Sequence, residues 1–296
     1  MGKTELAIRA ANDFNGEIIS CDSMQLYKYM DIGSAKPDAQ ERAAAKHYLV
    51  DEIDPAGEFS VAEYCRMAKG YIEEVFEKGK LPIISGGTGL YINSLIYDMD
   101  FASTPKNDEE RSYLKELLDE HGPQYLHDIL RELDPDAAER IHPNNTKKMI
   151  RAIEAAKAGE KIPAFEESFK PTGDYEVLLI CLDRDREQLY NRINLRVDIM
   201  MEKGLIPEIK SLMAMGLTED SISMKGIGYK ELIAHFNGEY DLETAVELIK
   251  RNSRRYAKRQ LTWFRRYPDM HWFDLSTDIE GEYSRMCNVI SEYLEA

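Results

Sequence analysis

Long apolar runs are missing from this chain. No stretch approaches the roughly 20 residues that a membrane-spanning helix needs, and no signal-peptide pattern opens the sequence. The expectation is a cytoplasmic protein without a membrane partner. Cysteine is scarce: Cys21, Cys65, Cys181 and Cys287 stand far apart with no C-x-x-C pair. That excludes a disulfide framework and a zinc ribbon, and it suits reduced thiols. The six histidines show no ligand spacing either. Net positive charge is absent, the formal charge being −16. Taken alone, that argues against a nucleic-acid partner. Internal repeats, low-complexity tracts and coiled-coil heptads are also lacking.

What is present is enough chain for a large core, 296 residues with 43% hydrophobic and 31% charged content. The charge is unevenly spread. Between Lys250 and Tyr267 lie Lys250, Arg251, Arg254, Arg255, Lys258, Arg259, Arg265 and Arg266, with no acidic residue among them. A concentrated basic helix in an acidic protein is a local footprint suited to phosphate backbones. Its interleaved Tyr256, Trp263 and Phe264 suit base stacking, or they are core with the cations on the wet face.

Short apolar runs predict strands at Glu17–Cys21, His47–Val50, Leu81–Ser85 and Tyr175–Leu182. Helical periodicity marks Val61–Glu77 and Gly89–Tyr97 between them. Strands alternating with helices predict an α/β fold with a parallel sheet and right-handed crossovers. In such sheets ligands sit at the carboxyl ends of the strands. From Ser103 to His142 the pattern turns charged and helical, with Asp108–Glu120 and Pro123–Leu133 as helices. It reads as a helical insertion, 103–142, in a core made of 1–102 and 143–296. After Asp183 the chain reads as nearly all helix: Arg186–Lys203, Pro207–Met215, Lys230–Phe236 and Leu242–Phe264.

Chemistry is suggested at several points. Gly2-Lys3-Thr4 at the head of an apolar-periodic run matches the back end of G-x-x-x-x-G-K-[ST]. In that motif loop amides and the Lys hold phosphate oxygens and the Thr hydroxyl holds Mg²⁺. Asp22, directly after a predicted strand, is either a proton acceptor or a cap for the next element. Ser85-Gly86-Gly87-Thr88-Gly89 describes a loop where backbone approaches a ligand closely and Thr88 donates to it. Asp31–Pro37 is a plain polar loop, and Lys225–Tyr229 a glycine-flanked loop that reads equally as a hinge. Lys147, Lys148 and Arg151 follow His142-Pro143-Asn144-Asn145 in an apparent first helical turn. Cations there oppose the helix dipole, which calls for a phosphate or a solvated face.

These motifs, in this order, resemble the tRNA dimethylallyltransferase (isopentenyl-tRNA transferase) family over the whole chain. The resemblance rests on Gly2-Lys3-Thr4, Asp22-Ser23, Met30–Pro37 (with Ser34 for Thr), Gly86–Tyr91, His142–Asn144, Gly228-Tyr229 and Lys258–Trp263. It implies a P-loop NTPase-like core. It also implies transfer of the dimethylallyl group from dimethylallyl diphosphate to N6 of the adenosine 3′ to a tRNA anticodon, without ATP consumption. By the same resemblance Gly2, Lys3 and Thr4 bind the diphosphate, with Thr4 on Mg²⁺. Asp22 is the general base, with Lys3 and Thr88 also catalytic. The tRNA contacts are then Asp22, Ser23, Met24, Gln25, Thr88, Arg111, Lys147, Lys148, Met149, Ile150, Arg151, Lys258, Arg259 and Gln260. The insertion clasps the anticodon stem, and the protein works as a monomer.

The chain departs from the family at its start, where the strand and first glycine of the loop would precede Gly2. The expectation is that Met1 is an internal valine codon read as an initiator, and that the chain as written is impaired. Rival readings are a P-loop small-molecule kinase, a free-nucleotide isopentenyltransferase, and a non-catalytic RNA-binding relic.

Overall fold

The computed structural model describes residues 2–99, 108–162 and 170–296. Met1 and the expected boundary at 102–103 lie outside them. In chain order the elements are α1 (Lys3–Asp13), β1 (Gly16–Cys21), α2 (Ala39–Ala44), β2 (His47–Tyr48), α3 (Val61–Glu77), β3 (Leu81–Gly86) and α4 (Gly89–Ile96). Next come α5 (Asp108–His121), α6 (Pro123–Leu133), α7 (Pro135–Arg140) and α8 (Thr146–Lys157). The chain ends with β4 (Ile180–Asp183), α9 (Arg186–Glu202), α10 (Leu205–Ala214), α11 (Tyr229–Phe236), α12 (Leu242–Phe264), β5 (His271–Asp274) and α13 (Ile279–Glu295). These fall into two compact units: Met1–Leu95 with Tyr175–Ala296, and Ile96–Asp174.

The first unit is the expected parallel α/β body. β1 is central in the order β2-β1-β3, and both of its pairings are parallel. Its residues Ile18, Ile19 and Cys21 are buried, as a strand covered on both faces requires. α3 opens with a capping box, Ser60 and Glu63 satisfying one another's backbone amides. It buries Tyr64, Ala68, Ile72 and Val75, spaced four, four and three apart, a single helical stripe. Burying Ile72 and Val75 contributes about 1.5–3 kcal/mol each.

A second parallel pair, β4 with β5, was not expected, because residues after Asp183 read as helix. β5 is only four residues long, too short for periodicity to show. The expected strand at Tyr175–Leu182 is correspondingly reduced to Ile180–Asp183, since the ladder offered by β5 reaches no further. Leu6 and Ala10 of α1 share a core with Phe273 of β5 and with Tyr283, Met286 and Ile290 of α13.

The second unit is helical and has its own core. Leu126 and Leu130 of α6 meet Ala137 and Ala138 of α7 and Met149, Ile150 and Ile153 of α8. This compact unit spans Ile96–Asp174, and α8 supplies part of its core. Its buried polar groups are partnered. Asp134 caps α7 through the Ala137 amide at 3.0 Å, and His127 Nε2 lies 2.9 Å from the carbonyls of both Ala138 and Ile141.

Candidate active site

The register of the three-stranded sheet builds the site. Cys21 pairs with Gly86, so β1 and β3 end at the same level and deliver Asp22 and Gly87-Thr88 side by side. The two strand ends are stitched by the amides of Gly87 and Thr88, each donating to the Cys21 carbonyl at 3.1 Å. A side chain at Gly86 would overlap the Cys21 backbone, so only glycine permits this approach. Thr88 Oγ1 accepts from the Ser23 amide at 3.1 Å, tying the loop after β3 to the loop after β1.

Asp22 caps its own turn, Oδ1 accepting from the amides of Met24 at 2.9 Å and Gln25 at 3.4 Å. Its second oxygen has no hydrogen-bond partner among the described residues. The two readings left open by the sequence are thus compatible: one oxygen caps and the other remains available.

Cations converge on that carboxylate. Gly2 takes a left-handed backbone, φ 85°, and sends the chain into α1 with Lys3 and Thr4 in the first turn. The turn has no side-chain cap, so its free amides and dipole face outward as an anion-binding end. Lys3 Nζ lies over the Gly87 backbone, about where a Cβ on Gly87 would come within 3.0 Å of it. Desolvation by densely packed protein lowers the pKa of Lys3, the nearby Arg196 lowers it further, and Asp22 opposes both. Arg196 of α9 faces Asp22 too and keeps considerable exposure. Its pKa is also lowered, by desolvation, against the pull of Asp22. Two cations and one carboxylate leave an excess of positive charge, which an anionic ligand would neutralise. Sequence reading passed over Arg196, because an arginine in a polar helix carries no local signal of what it faces.

Gln25 is held at both ends. Its Oε1 accepts from the Ser20 hydroxyl at 3.1 Å and its Nε2 donates to the Ala35 carbonyl at 3.1 Å. The loop carrying Ala35 is fixed in turn by Glu208 of α10. Its carboxylate accepts the amides of Asp31 at 2.8 Å, Ile32 at 2.7 Å and Gly33 at 3.1 Å, together with the Tyr229 hydroxyl at 2.8 Å. Tyr229 is fully buried and packs on Gly33, where a Cβ would meet its ring at 2.5 Å. The Asp31–Pro37 and Lys225–Tyr229 loops are therefore joined through Glu208 and by the packing of Tyr229 on Gly33.

From α12, Gln260 Nε2 donates to the Gly87 carbonyl at 2.7 Å, and the Tyr256 hydroxyl lies 3.4 Å from the same oxygen. Lys258 and Arg259 are exposed on that helix, with Arg259 5.6 Å over the Tyr256 ring. Phe264 is buried, whereas Tyr256 is 36% exposed, so the helix serves core and solvent with different aromatics.

In the helical unit the expected RNA contacts separate by burial. Lys147 and Lys148 are exposed. The side chains of Met149 and Ile150 are buried in the unit's own core. Arg111 forks onto buried Glu154, Nε at 2.6 Å and an Nη at 2.9 Å, while Arg151 lies 3.8 Å from the same carboxylate. Acidic residues outnumber basic ones between 103 and 142, while α8 carries Lys147, Lys148, Arg151 and Lys157.

Among the described residues no cluster of three or more His, Cys, Asp or Glu could form a metal cage. Thr4 in the first turn of α1 and Asp22 after β1 carry hard oxygens of the kind that suit a cation carried by phosphate oxygens and water.

Comparison with known proteins agrees with this geometry. Residues 25–267 match the sequence model of a family described as IPP transferase. The chain is 54% identical over 275 residues to the tRNA dimethylallyltransferase of Clostridioides difficile, covering 93% of this chain and 88% of the relative. It is 46% identical to that of a Thermoanaerobacter species over 297 residues, covering 99% and 94%. Among solved structures, the tRNA isopentenylpyrophosphate transferase of Bacillus halodurans superimposes with a TM-score of 0.75 at 42% identity, covering 99% of this chain and 93% of that one. A eukaryotic dimethylallyltransferase acting on tRNA gives 0.83 at 29% identity, covering 98% and 76%. A parallel sheet whose strand ends gather Lys3, Asp22 and Thr88, and a sequence alike over nearly its whole length, lead to one conclusion: this chain belongs to the IPP transferase family.

Proposed function

We propose that the chain transfers the dimethylallyl group of dimethylallyl diphosphate to the exocyclic N6 of an adenosine in tRNA, the one 3′-adjacent to the anticodon. The observation that carries this reading is the half-free Asp22 carboxylate, fixed beside Thr88 and faced by Lys3 and Arg196.

An adenine amine is a weak nucleophile, because its lone pair is delocalised into the ring. The C1–O bond of the donor must therefore break early, building allylic cation character on C1. Diphosphate leaves with the electron pair. Lys3, the amides opening α1 and Arg196 stand where that negative charge grows, which is electrostatic catalysis aimed at the transition state. Mg²⁺ bound with the diphosphate, with Thr4 as its protein ligand, would supply further charge neutralisation there. As the C1–N6 bond forms, the amine becomes acidic and its proton passes to the open oxygen of Asp22. Thr88 and the Asp22–Gln25 turn border the place where the base must lie, and the adenosine must leave its stack to reach it. Lys147, Lys148, Lys258 and Arg259 are exposed cations suited to the RNA backbone, and Arg111 and Arg151 supply charge around Glu154. We propose a monomer acting in the cytoplasm.

The test is transfer of labelled dimethylallyl from its diphosphate to an unmodified anticodon stem-loop with Mg²⁺. Label appearing on N6 of the adenosine beside the anticodon supports the reading. Label on free adenine nucleotides alone, or phosphoryl transfer from a nucleoside triphosphate, would replace it with a rival.

A further inference from the structure

We propose that Gln260 is a positioning residue for the reaction: it sets the Gly87-Thr88 loop, and through that loop the Asp22 turn. The inference rests on the transfer reading of this site.

Tyr256, Gln260 and Trp263 are spaced four and three apart and so share one face of α12. All three meet the loop that follows β3. Gln260 donates to the Gly87 carbonyl at 2.7 Å, the Tyr256 hydroxyl lies 3.4 Å from that oxygen, and Trp263 packs on Gly89. The fit is tight. A Cβ on Gly87 would overlap the Gln260 amide, and one on Gly89 would stand 2.5 Å from the indole ring. The glycines of this loop thus make room for the side chains of a distant helix as well as for a ligand.

Gly87 is where several restraints meet. Its amide donates to Cys21, its carbonyl accepts from Gln260, and Lys3 lies against it. Next in chain, Thr88 Oγ1 holds the Ser23 amide beside Asp22. Without Gln260 the peptide after Gly87 loses its only strong side-chain restraint among the described residues, Tyr256 being at the edge of hydrogen-bonding distance. Rotation of that peptide would swing Thr88 away from Ser23. The chemistry tolerates such displacement poorly, because shifts of an ångström or less in aligned groups cost substantial rate. Lys258 and Arg259, the neighbours of Gln260, are exposed and remain free to meet RNA.

The experiment compares wild type with Gln260→Met, which keeps the bulk and removes the donor. Steady-state transfer to the anticodon stem-loop is measured alongside amide hydrogen exchange of the segments around Ser23 and Gly87–Gly89. The expected result is a fall in kcat of about five- to tenfold, an RNA KM unchanged within about twofold, and faster exchange at Ser23 and Thr88. A second arm places Gly87→Ala in wild type and in Gln260→Ala. The added methyl should cost much of the activity in the first and less in the second, because the smaller side chain removes the overlap with Gln260 and leaves only the 3.0 Å approach to Lys3 Nζ. A raised RNA KM with kcat intact, or unchanged exchange, or strictly additive losses, would overturn the proposal. If wild type transfers nothing, the function reading fails by itself, and the exchange arm still decides what Gln260 does.

Discussion

The two compact units treat polar groups in opposite ways. In the helical unit each buried charge or ring is matched: Glu154 by Arg111, Asp134 by the Ala137 amide, His127 by two carbonyls. At the strand ends of the α/β body the matching is deliberately incomplete. Asp22 keeps an open oxygen, and Lys3 and Arg196 have their charged forms disfavoured by the packing around them. The first arrangement minimises free energy. The second stores an electrostatic cost that an anionic substrate would relieve, which is how a binding site differs from a core.

The contrast can be broken at its sharpest point with Asp22→Asn. Asparagine retains the oxygen that caps Met24 and Gln25 but accepts no proton, so kcat should fall about 10²- to 10⁴-fold while Tm stays nearly unchanged. A comparable fall in Tm would make Asp22 structural. Lys3→Met comes next. Transfer should drop about 10²- to 10³-fold, and thermal stability should hold or rise. The sign follows from the lowered pKa: the folded state disfavours the charged amine, so below the ordinary lysine pKa its removal relieves a cost. A clear loss of Tm would contradict that account.

Glu154→Gln probes the other unit. Removing one side of a buried ion pair should destabilise by about 3–5 kcal/mol, read as a lower denaturation midpoint, while kcat of the folded fraction is retained. Loss of kcat without loss of stability would erase the distinction between the units. The smallest effect concerns acid. Glu17 is buried at the opposite end of β1, resisted by desolvation but hydrogen-bonded by Lys80, Tyr48 and Lys78, and its pKa falls to about 2. Its stabilisation is complete above the unfolded value of 4.5 and is lost as pH falls toward 2. Glu17→Gln should flatten that part of the stability-against-pH curve, removing about 2–3 kcal/mol at neutral pH. An unchanged curve would mean other carboxylates set acid sensitivity.

Legibility in the sequence followed the range of the forces involved. α3, α6 and α12 were read to their ends, because capping residues and apolar stripes are local: Ser60 with Glu63, Pro123 after Gly122, Asp241 before Leu242. Asp22 and Thr88 were legible as site residues because each directly follows a strand. β5 was not, since four residues show no period and their identity as strand depends on β4. Nor were Arg196 and Glu208, nor the contact of Gln260 with the Gly87 carbonyl. Each acts on a backbone or a charge far along the chain, and a single polar residue on a helix looks the same whether it meets water or a distant carbonyl. The burial of Met149 and Ile150 was not legible for a related reason: adjacency to Lys147 and Lys148 said nothing of which face the helix buries.

By itself the sequence determined the α/β alternation, most helix limits, the glycine-rich approach of the loop after β3 and the basic helix, because propensity, capping and periodicity act within a few residues. The tertiary structure alone decided which carboxylate oxygen stays open, which cations face it, and that α12 holds the Gly87 loop. Those are contacts between segments remote in sequence, set by the parallel register of β1 with β3 and by side-chain packing that no local pattern encodes.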